Sequence, residues 1–238
     1  MRGPYGFEMN ENCQSCKLRG NGFFCQMRPA ALKEFDEIKF TSSYPQGAVL
    51  FLEKQNPRGI YILCEGEVKL SISSSEGKTL ILRIAKPGEV LGLMSALAGT
   101  PYEVTAETLR PSQVAFIRRE AFAAFLAHHP EAYQAVVAQL GSQYQTACEQ
   151  LRTVGLSTSA PEKLAKLLLD LASRGQQTKQ GAVVRLPLTH EQIGEFIGTT
   201  RETVSRTLSE FKSEHLIEVH GATFTIQDRT GLEELVNV

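Results

Sequence analysis

The stretch Leu188-Thr189-His190-Glu191-Gln192-Ile193-Gly194-Glu195-Phe196-Ile197-Gly198-Thr199-Thr200-Arg201-Glu202-Thr203-Val204-Ser205-Arg206-Thr207-Leu208 reads as a helix, a turn and a second helix. Thr189 stands where a hydroxyl can cap the first helix, with Gln192 at the capping-box position. Gly194 is small where the second helix must come close, and Gly198 falls where the turn calls for a positive φ. Ile193, Ile197, Val204 and Leu208 supply the apolar face between the helices. Thr200 caps the second helix, which presents Arg201, Glu202, Ser205 and Arg206 outward. Arginine forks match the O6 and N7 acceptors of guanine, and a carboxylate accepts from the cytosine N4 amine. A solvated face would explain the Glu202–Arg206 i, i+4 pair, but not the small residue, the glycine and the basic helix at the required offsets. The pattern predicts a helix-turn-helix on double-stranded DNA, with Thr189, His190, Thr200, Arg201, Glu202, Ser205 and Arg206 as contact residues. His190, in the first turn, is placed for a backbone phosphate.

The flanks extend this reading. Downstream, Ile217–Val219 and Thr223–Ile226 around His220-Gly221 read as a β-hairpin, the wing of a winged arrangement. Upstream, Glu162–Ser173 carries Leu164, Leu167, Leu168 and Leu171 at helical spacing, with Ser159 as N-cap and Glu162 at the capping-box position. Val183–Leu186 reads as a short strand. Gly155-Leu156-Ser157-Thr158-Ser159-Ala160-Pro161 is rich in helix breakers and reads as a hinge. Before it, Val136, Val137, Leu140, Tyr144, Cys148, Leu151 and Val154 form a stripe on one helix of roughly eight turns beginning near Pro130. A stripe that outruns one small barrel is best buried on a copy of itself, so Val137, Leu140, Tyr144, Cys148 and Leu151 are expected at a homodimer seam.

Between residues 40 and 118, short apolar runs alternate with turn signals: Ala48–Leu52, Gly59–Leu63, Val68–Ile72, Leu80–Ile84 and Gln113–Ile117. Strands about ten residues apart predict a sandwich or barrel, either plain scaffold or a mouth for a small ligand. A short helix is expected over Pro29–Lys39. The organisation is therefore a cysteine-rich segment over 1–28, a β-domain over 29–129, a dimerisation helix and hinge over 130–158, and a DNA-binding domain over 159–238.

The 238 residues are 42% hydrophobic and 21% charged, enough for two cores. No apolar run reaches the roughly 18 residues of a membrane helix, and the start lacks the apolar region of a secretory signal. A net charge of −1 means that any nucleic-acid site must be built locally. Five cysteines without a secretory signal fit a reducing cytoplasm, as metal ligands, redox thiols or buried apolar residues. No nucleophile–base constellation and no phosphate-loop glycine pattern points to an enzyme.

"IGEFIGTTRETVSRTL" at 193–208, "PGEVLG" at Pro87–Gly92 and "LCEGEVKLS" at Leu63–Ser71 resemble the CRP/FNR family of bacterial transcription regulators along almost the whole chain. The resemblance implies an α+β chain: an N-terminal cyclic-nucleotide-binding-like β-roll (a double-stranded jelly roll), a long dimerisation helix and a C-terminal winged helix-turn-helix. It further implies a homodimer on a two-fold symmetric operator, in contact with RNA polymerase. Arg201, Glu202 and Arg206 match the base-reading positions of the catabolite-activator branch, and Ser205 matches the oxygen-regulator branch, so half-sites of mixed TGTGA/TTGA character are expected. In the cyclic-AMP branch an Arg-Ser pair holds the cyclic phosphate. Here the aligned pair is Thr100-Pro101, and no arginine lies between Arg83 and Arg110, so cAMP is disfavoured as a ligand.

Cys13-x2-Cys16-x8-Cys25 is suited to a soft metal centre, because thiolates ligate both iron–sulfur clusters and zinc. It resembles the N-terminal cysteine cluster of the FNR branch, which implies an oxygen-labile [4Fe–4S] cluster whose loaded form binds DNA. The last spacing is longer than in that branch, and the branch's fourth ligand falls at Ala115, so Cys64 is the substitute. Phe23, Phe24 and Met27 give the trio apolar cover. A zinc site, a thiol redox switch and incidental cysteines remain the alternatives. Cys148 belongs to the helix stripe and is read as core.

Overall fold

A computed structural model describes residues 4–6, 12–17, 19, 22, 24–173, 176–178 and 181–236. Among them the chain is mixed α+β, with eight α-helices and twelve strands. The order is α1 (Pro29–Ile38), β1 (Lys39–Tyr44), β2 (Val49–Phe51), β3 (Gly59–Glu65), β4 (Val68–Ser73), β5 (Thr79–Ala85), β6 (Val90–Leu91), α2 (Leu93–Ala98), β7 (Thr105–Thr108), β8 (Ser112–Arg118), α3 (Arg119–His128) and α4 (Ala132–Leu156). Then come α5 (Ala160–Ser173), β9 (Gln176–Thr178), β10 (Gly181–Arg185), α6 (His190–Ile197), α7 (Arg201–Ser213), β11 (Ile217–His220), β12 (Thr223–Ile226) and α8 (Arg229–Val236).

Two compact units result: residues 1–72 with 82–147, and residues 73–81 with 148–238. The first unit is built on two four-stranded sheets, ordered β1-β8-β3-β6 and β2-β7-β4-β5, the last strand shared with the second unit. Its inner core joins Phe51, Leu63, Val68, Leu70, Leu91, Tyr102 and Val114. The Tyr102 ring stacks on Phe51 with centroids 4.0 Å apart, and its hydroxyl donates to Gly59 O at 2.7 Å. A second core is aromatic: Phe24 stacks on Phe35 and meets Phe122 edge-on, each at 5.8 Å, and Phe35 packs on Phe125 at 5.0 Å. Phe24 and Met27 are buried there, so the segment carrying the cysteines is anchored on α1 and α3 by apolar burial. Phe23, also singled out in the sequence, lies outside the described residues.

The strand cores match the apolar runs, but several elements differ from expectation. The first helix stops at Ile38, and Lys39 opens β1. The runs also miss β1, whose Lys-Phe-Thr-Ser-Ser-Tyr is half polar because it is an edge strand pairing with β8 alone. Two glycines bound α2, Gly92 and Gly99, both left-handed at φ 70 and 72. The long helix begins at Ala132, and α3 is a separate helix that ends ahead of Pro130. At 25 residues, α4 spans roughly 37 Å, about seven turns. Gln139 fastens α4 to the sheet: its Oε1 accepts from Val90 N at 3.0 Å and its Nε2 donates to Val90 O at 2.5 Å.

In the second unit, the sheet runs β11-β12-β10-β9, all antiparallel, beside α5, α6 and α7. The expected strand Val183–Leu186 is β10, shifted to Gly181–Arg185. Ser159 Oγ accepts from Glu162 N at 3.2 Å, as the cap requires. The Glu162 carboxylate takes Thr158 N at 2.8 Å and Lys166 Nζ at 2.8 Å, so the expected return to Ser159 is replaced by a contact one residue earlier. Gln150 Nε2 donates to Ile81 O at 3.1 Å and to Phe196 O at 2.5 Å.

Candidate functional site

The helix-turn-helix is assembled by local bonds. Thr189 Oγ1 accepts from Gln192 N at 3.2 Å and Gln192 Oε1 accepts from Thr189 N at 3.0 Å, a complete capping box. Gly198 is left-handed at φ 69, and a Cβ on Gly194 would stand 2.8 Å from Thr199 O. Thr200 Oγ1 accepts from Thr203 N at 3.3 Å and caps α7. Ile193, Ile197, Val204 and Leu208 are buried between the helices.

Arg201, Glu202 and Arg206 are exposed on α7, and Ser205 is half-buried on the same face. The helix N-terminus and the Thr200 hydroxyl hold the Glu202 carboxyl below its usual range, so it is an acceptor at neutral pH. Thr189, His190 and Thr200 are exposed at the starts of the two helices, where backbone N–H groups and side chains suit phosphate. His190 Nδ1 lies 2.8 Å from Ser205 Oγ, a tie between the two helices that spacing alone does not reveal.

The apolar stripe of α4 divides in two. Val137, Tyr144 and Leu151, seven residues apart, are 68%, 72% and 69% exposed. Val136 is buried and Leu140 half-buried against the aromatic core of their own unit. Leu140, expected at the seam, therefore also packs at home, because the stripe spans two adjoining faces of the helix. Cys148 is half-buried.

Cys13, Cys16, Cys25 and Cys64 are all half-buried, and none of them is in a disulfide. Asn12 caps the single turn Cys13–Ser15, accepting Gln14 N at 2.7 Å. Cys25 N donates to Gly22 O at 3.1 Å, and a Cβ on Gly22 would meet Cys25 Sγ at 2.8 Å and the Gly88 backbone at 2.9 Å, so only glycine lets this turn lie so close. Cys64 sits at a shift of register between β3 and β8, where the regular alternation of faces breaks. Ala115 is buried on β8, opposite Ile62 and Thr41.

Burial pushes the Cys64 thiol up to about 12; Lys39 opposes that shift, and Cys13, Cys16 and Cys25 each add to it. Burial likewise lifts Cys13 to about 11, against a hydrogen bond from Lys39, and it raises Cys25 with Cys16 as the next cause. Burial at Cys13, Cys25 and Cys64 thus opposes bare thiolates and favours thiolates compensated by positive charge. Among the described residues, no three His, Cys, Asp or Glu side chains stand close enough to grip one metal ion as placed. The donor set, four soft thiols of which Cys13 and Cys64 pack on the apolar core, fits an iron–sulfur group in its chemistry. Residue spacing left Asp36 and Lys39 unnoticed beside it: Lys39 Nζ lies 3.0 Å from Cys13 Sγ and 2.5 Å from Asp36 Oδ1.

Thr100 and Pro101, aligned with the phosphate-holding pair, lie in an exposed turn. Arg83 is engaged by Glu89. No described helix is long and apolar enough to cross a membrane.

Known proteins agree with this architecture. Residues 162–235 match the Crp-like helix-turn-helix domain, and residues 41–129 match the cyclic nucleotide-binding domain. The CRP-like cAMP-activated global transcriptional regulator of Mycobacterium tuberculosis is 27% identical over 209 residues, 87% of this chain and 92% of that protein. The transcriptional activatory protein AadR of Rhodopseudomonas palustris is 28% identical over 205 residues, 86% of this chain and 84% of that protein. The structure of FixK2 from Bradyrhizobium japonicum shares the fold at a TM-score of 0.72 and 23% identity, covering 83% of this chain and 97% of that one. The chain belongs to the CRP/FNR family of DNA-binding transcription regulators, a non-enzymatic family, and carries both of its domains.

Proposed function

We propose that this regulator acts in the cytoplasm as a homodimer on palindromic operators with TGTGA/TTGA-like half-sites, contacts RNA polymerase there, and is controlled by a redox-labile [4Fe–4S] cluster on Cys13, Cys16, Cys25 and Cys64. The observation that carries the control is the packing of Cys13 and Cys64 against one apolar core together with Phe24 and Met27, which anchor the cysteine loop. Bound there, the cluster would supply a centre that oxygen can destroy. The chain's own part is to hold the sulfurs and limit water: Phe24 and Met27 anchor the loop, and Gly22 lets it lie on the turn at Gly88. The exposed Val137, Tyr144 and Leu151 support the dimer, since they are one heptad apart on a straight face.

The relative from Mycobacterium tuberculosis is named as cAMP-activated. Control by a cyclic nucleotide is disfavoured here for two reasons. Thr100-Pro101 offers a phosphate no cation, and Phe51 and Tyr102 stack within the core of the roll.

Anaerobic purification with a visible spectrum and analysis of iron, sulfide and zinc tests the reading. Brown protein with about four irons per chain is expected. Serine at Cys13, Cys16, Cys25 or Cys64 should remove the colour, and serine at Cys148 should keep it. Colourless parent protein, or protein with one zinc, would overturn the cluster reading. Colour retained in Cys64→Ser would move the fourth ligand off β3.

A further inference from the structure

Lys39 opens β1 beside the cysteine loop. Its side chain is 4% exposed, a place where an ammonium is held only against a strong preference for water. Its pairing with Asp36, three residues earlier, would form equally well in solvent, as i, i+3 pairs do. Here the pair is turned inward. Lys39 Nζ takes Asp36 Oδ1 at 2.5 Å and reaches Cys13 Sγ at 3.0 Å, while both Asp36 oxygens accept from Cys13 N at 3.0 Å. Cys13 is thus gripped at both ends, backbone by the carboxylate and sulfur by the ammonium. The Asp36 carboxylate at 2.5 Å compensates the buried ammonium and fixes its direction.

Resting on the cluster reading above, we infer that Lys39 is a positioning residue of the cysteine site, whose ammonium, oriented by Asp36, donates a hydrogen bond to the Cys13 sulfur and stabilises the electron-rich form of the centre bound there. Hydrogen bonds to the sulfurs and net charge set the potential of such centres. A cationic donor on one sulfur stabilises the more negative state, so losing it makes the centre easier to oxidise.

The test compares the parent with Lys39→Met, which removes donor and charge, Lys39→Gln, which keeps a donor, and Lys39→Arg, which keeps both. Redox titration of the anaerobic protein, followed by visible absorbance, should show the reduced-to-oxidised ratio at fixed potential falling about tenfold in Lys39→Met. That is a shift of about 59 mV for one electron. Lys39→Gln should fall between, Lys39→Arg should stay near the parent, and bleaching in air should speed up in the same order. A merely structural lysine would lower the melting temperature and leave the potential unmoved; that result overturns the inference. Should Lys39→Met fail to fold, the ranking of Lys39→Gln against Lys39→Arg decides it.

A second measurement separates this inference from the cluster reading. In metal-free protein, alkylation of Cys13 by iodoacetamide at one pH, read by mass spectrometry, should slow severalfold in Lys39→Met and Lys39→Gln but not in Lys39→Arg. Parent protein without iron that shows this slowing sinks the cluster and keeps the Lys39–sulfur contact. Equal alkylation in all variants sinks the contact, whatever the iron content.

Discussion

The DNA-reading helix and the cysteine site are built in opposite ways. On α7, the side chains proposed to meet bases share one face, with Arg201, Glu202 and Arg206 exposed, and the bonds that shape the motif reach three to five residues: Thr189 to Gln192, Thr199 to Gly194, Thr200 to Thr203. Such a surface exists before its partner arrives, and phosphate adds affinity to geometry already in place. The cysteine site gathers Cys13, Cys16, Cys25, Asp36, Lys39 and Cys64 from a capped turn, a loop, a helix, the start of one strand and the end of another. Cys13, Cys25 and Cys64 are desolvated and pushed up in pKa, so the arrangement suits a partner that brings positive charge. A preformed surface tolerates changes in its neighbours. A site drawn from distant segments depends on the core that holds them together.

The seam between protomers breaks this comparison most directly. Leu151→Glu puts two uncompensated carboxylates into an apolar interface, so sedimentation should show monomer, and operator binding should be lost while each unit stays folded. Leu140→Glu should also lower thermal stability, because Leu140 packs on its own core. A stable dimer of Leu151→Glu would remove α4 from the seam.

Next comes the anchor of the cysteine loop. Phe24→Ala should cost about 3–5 kcal/mol of unfolding free energy in denaturant titration, the range for emptying a buried phenylalanine site. It should cut cysteine-site loading while leaving the shape of α6 and α7 unchanged. Loss of both functions together would show that the two regions are not separable.

A smaller effect is expected on the reading face. Arg206→Ala should cost about 1–3 kcal/mol per half-site on the preferred operator and flatten preference at one guanine. Equal weakening on random DNA would make Arg206 a phosphate contact.

The smallest is a pH effect at α5. The Lys166 ammonium and the Thr158 N–H hold the Glu162 carboxyl at about 2, below its ordinary value near 4.5. That stabilisation is complete above pH 4.5 and fades as the pH falls toward 2. Thermal melts between pH 5 and pH 2 should therefore fall more shallowly for Glu162→Gln than for the parent, with the parent higher above pH 5. Parallel curves would show that the carboxylate adds nothing.

The same contrast governs what could be read from the chain. The caps, the turn glycine and the outward face of α7 were legible because each depends on neighbours a few residues away. Strand cores such as Gly59–Glu65 announced themselves by apolar runs, whereas β1 and β7 did not, since Thr41, Ser43 and Glu107 dilute them. The cysteines were visible as residue types, but Lys39 and Asp36 were not. Nothing in a lysine at a helix end says that it will be turned inward onto a sulfur, because that follows from the packing of Phe24 and Met27 on Phe35 and Leu32. That Leu140 also packs on its own unit is illegible for a related reason: which side of α4 meets the sheet is set by Gln139 bracketing Val90, a contact between distant segments.

The central claim is that occupancy of the cysteine site alters DNA binding. It requires a difference in affinity for the centre between two protein states, since tight binding alone shifts nothing. The direct measurement is operator affinity of anaerobic and air-exposed protein at one salt concentration, for the parent and for Cys16→Ser. The account predicts that the parent binds at least tenfold more tightly when anaerobic, and that Cys16→Ser shows one weak affinity under both conditions. Equal affinities for the parent in both conditions would contradict it.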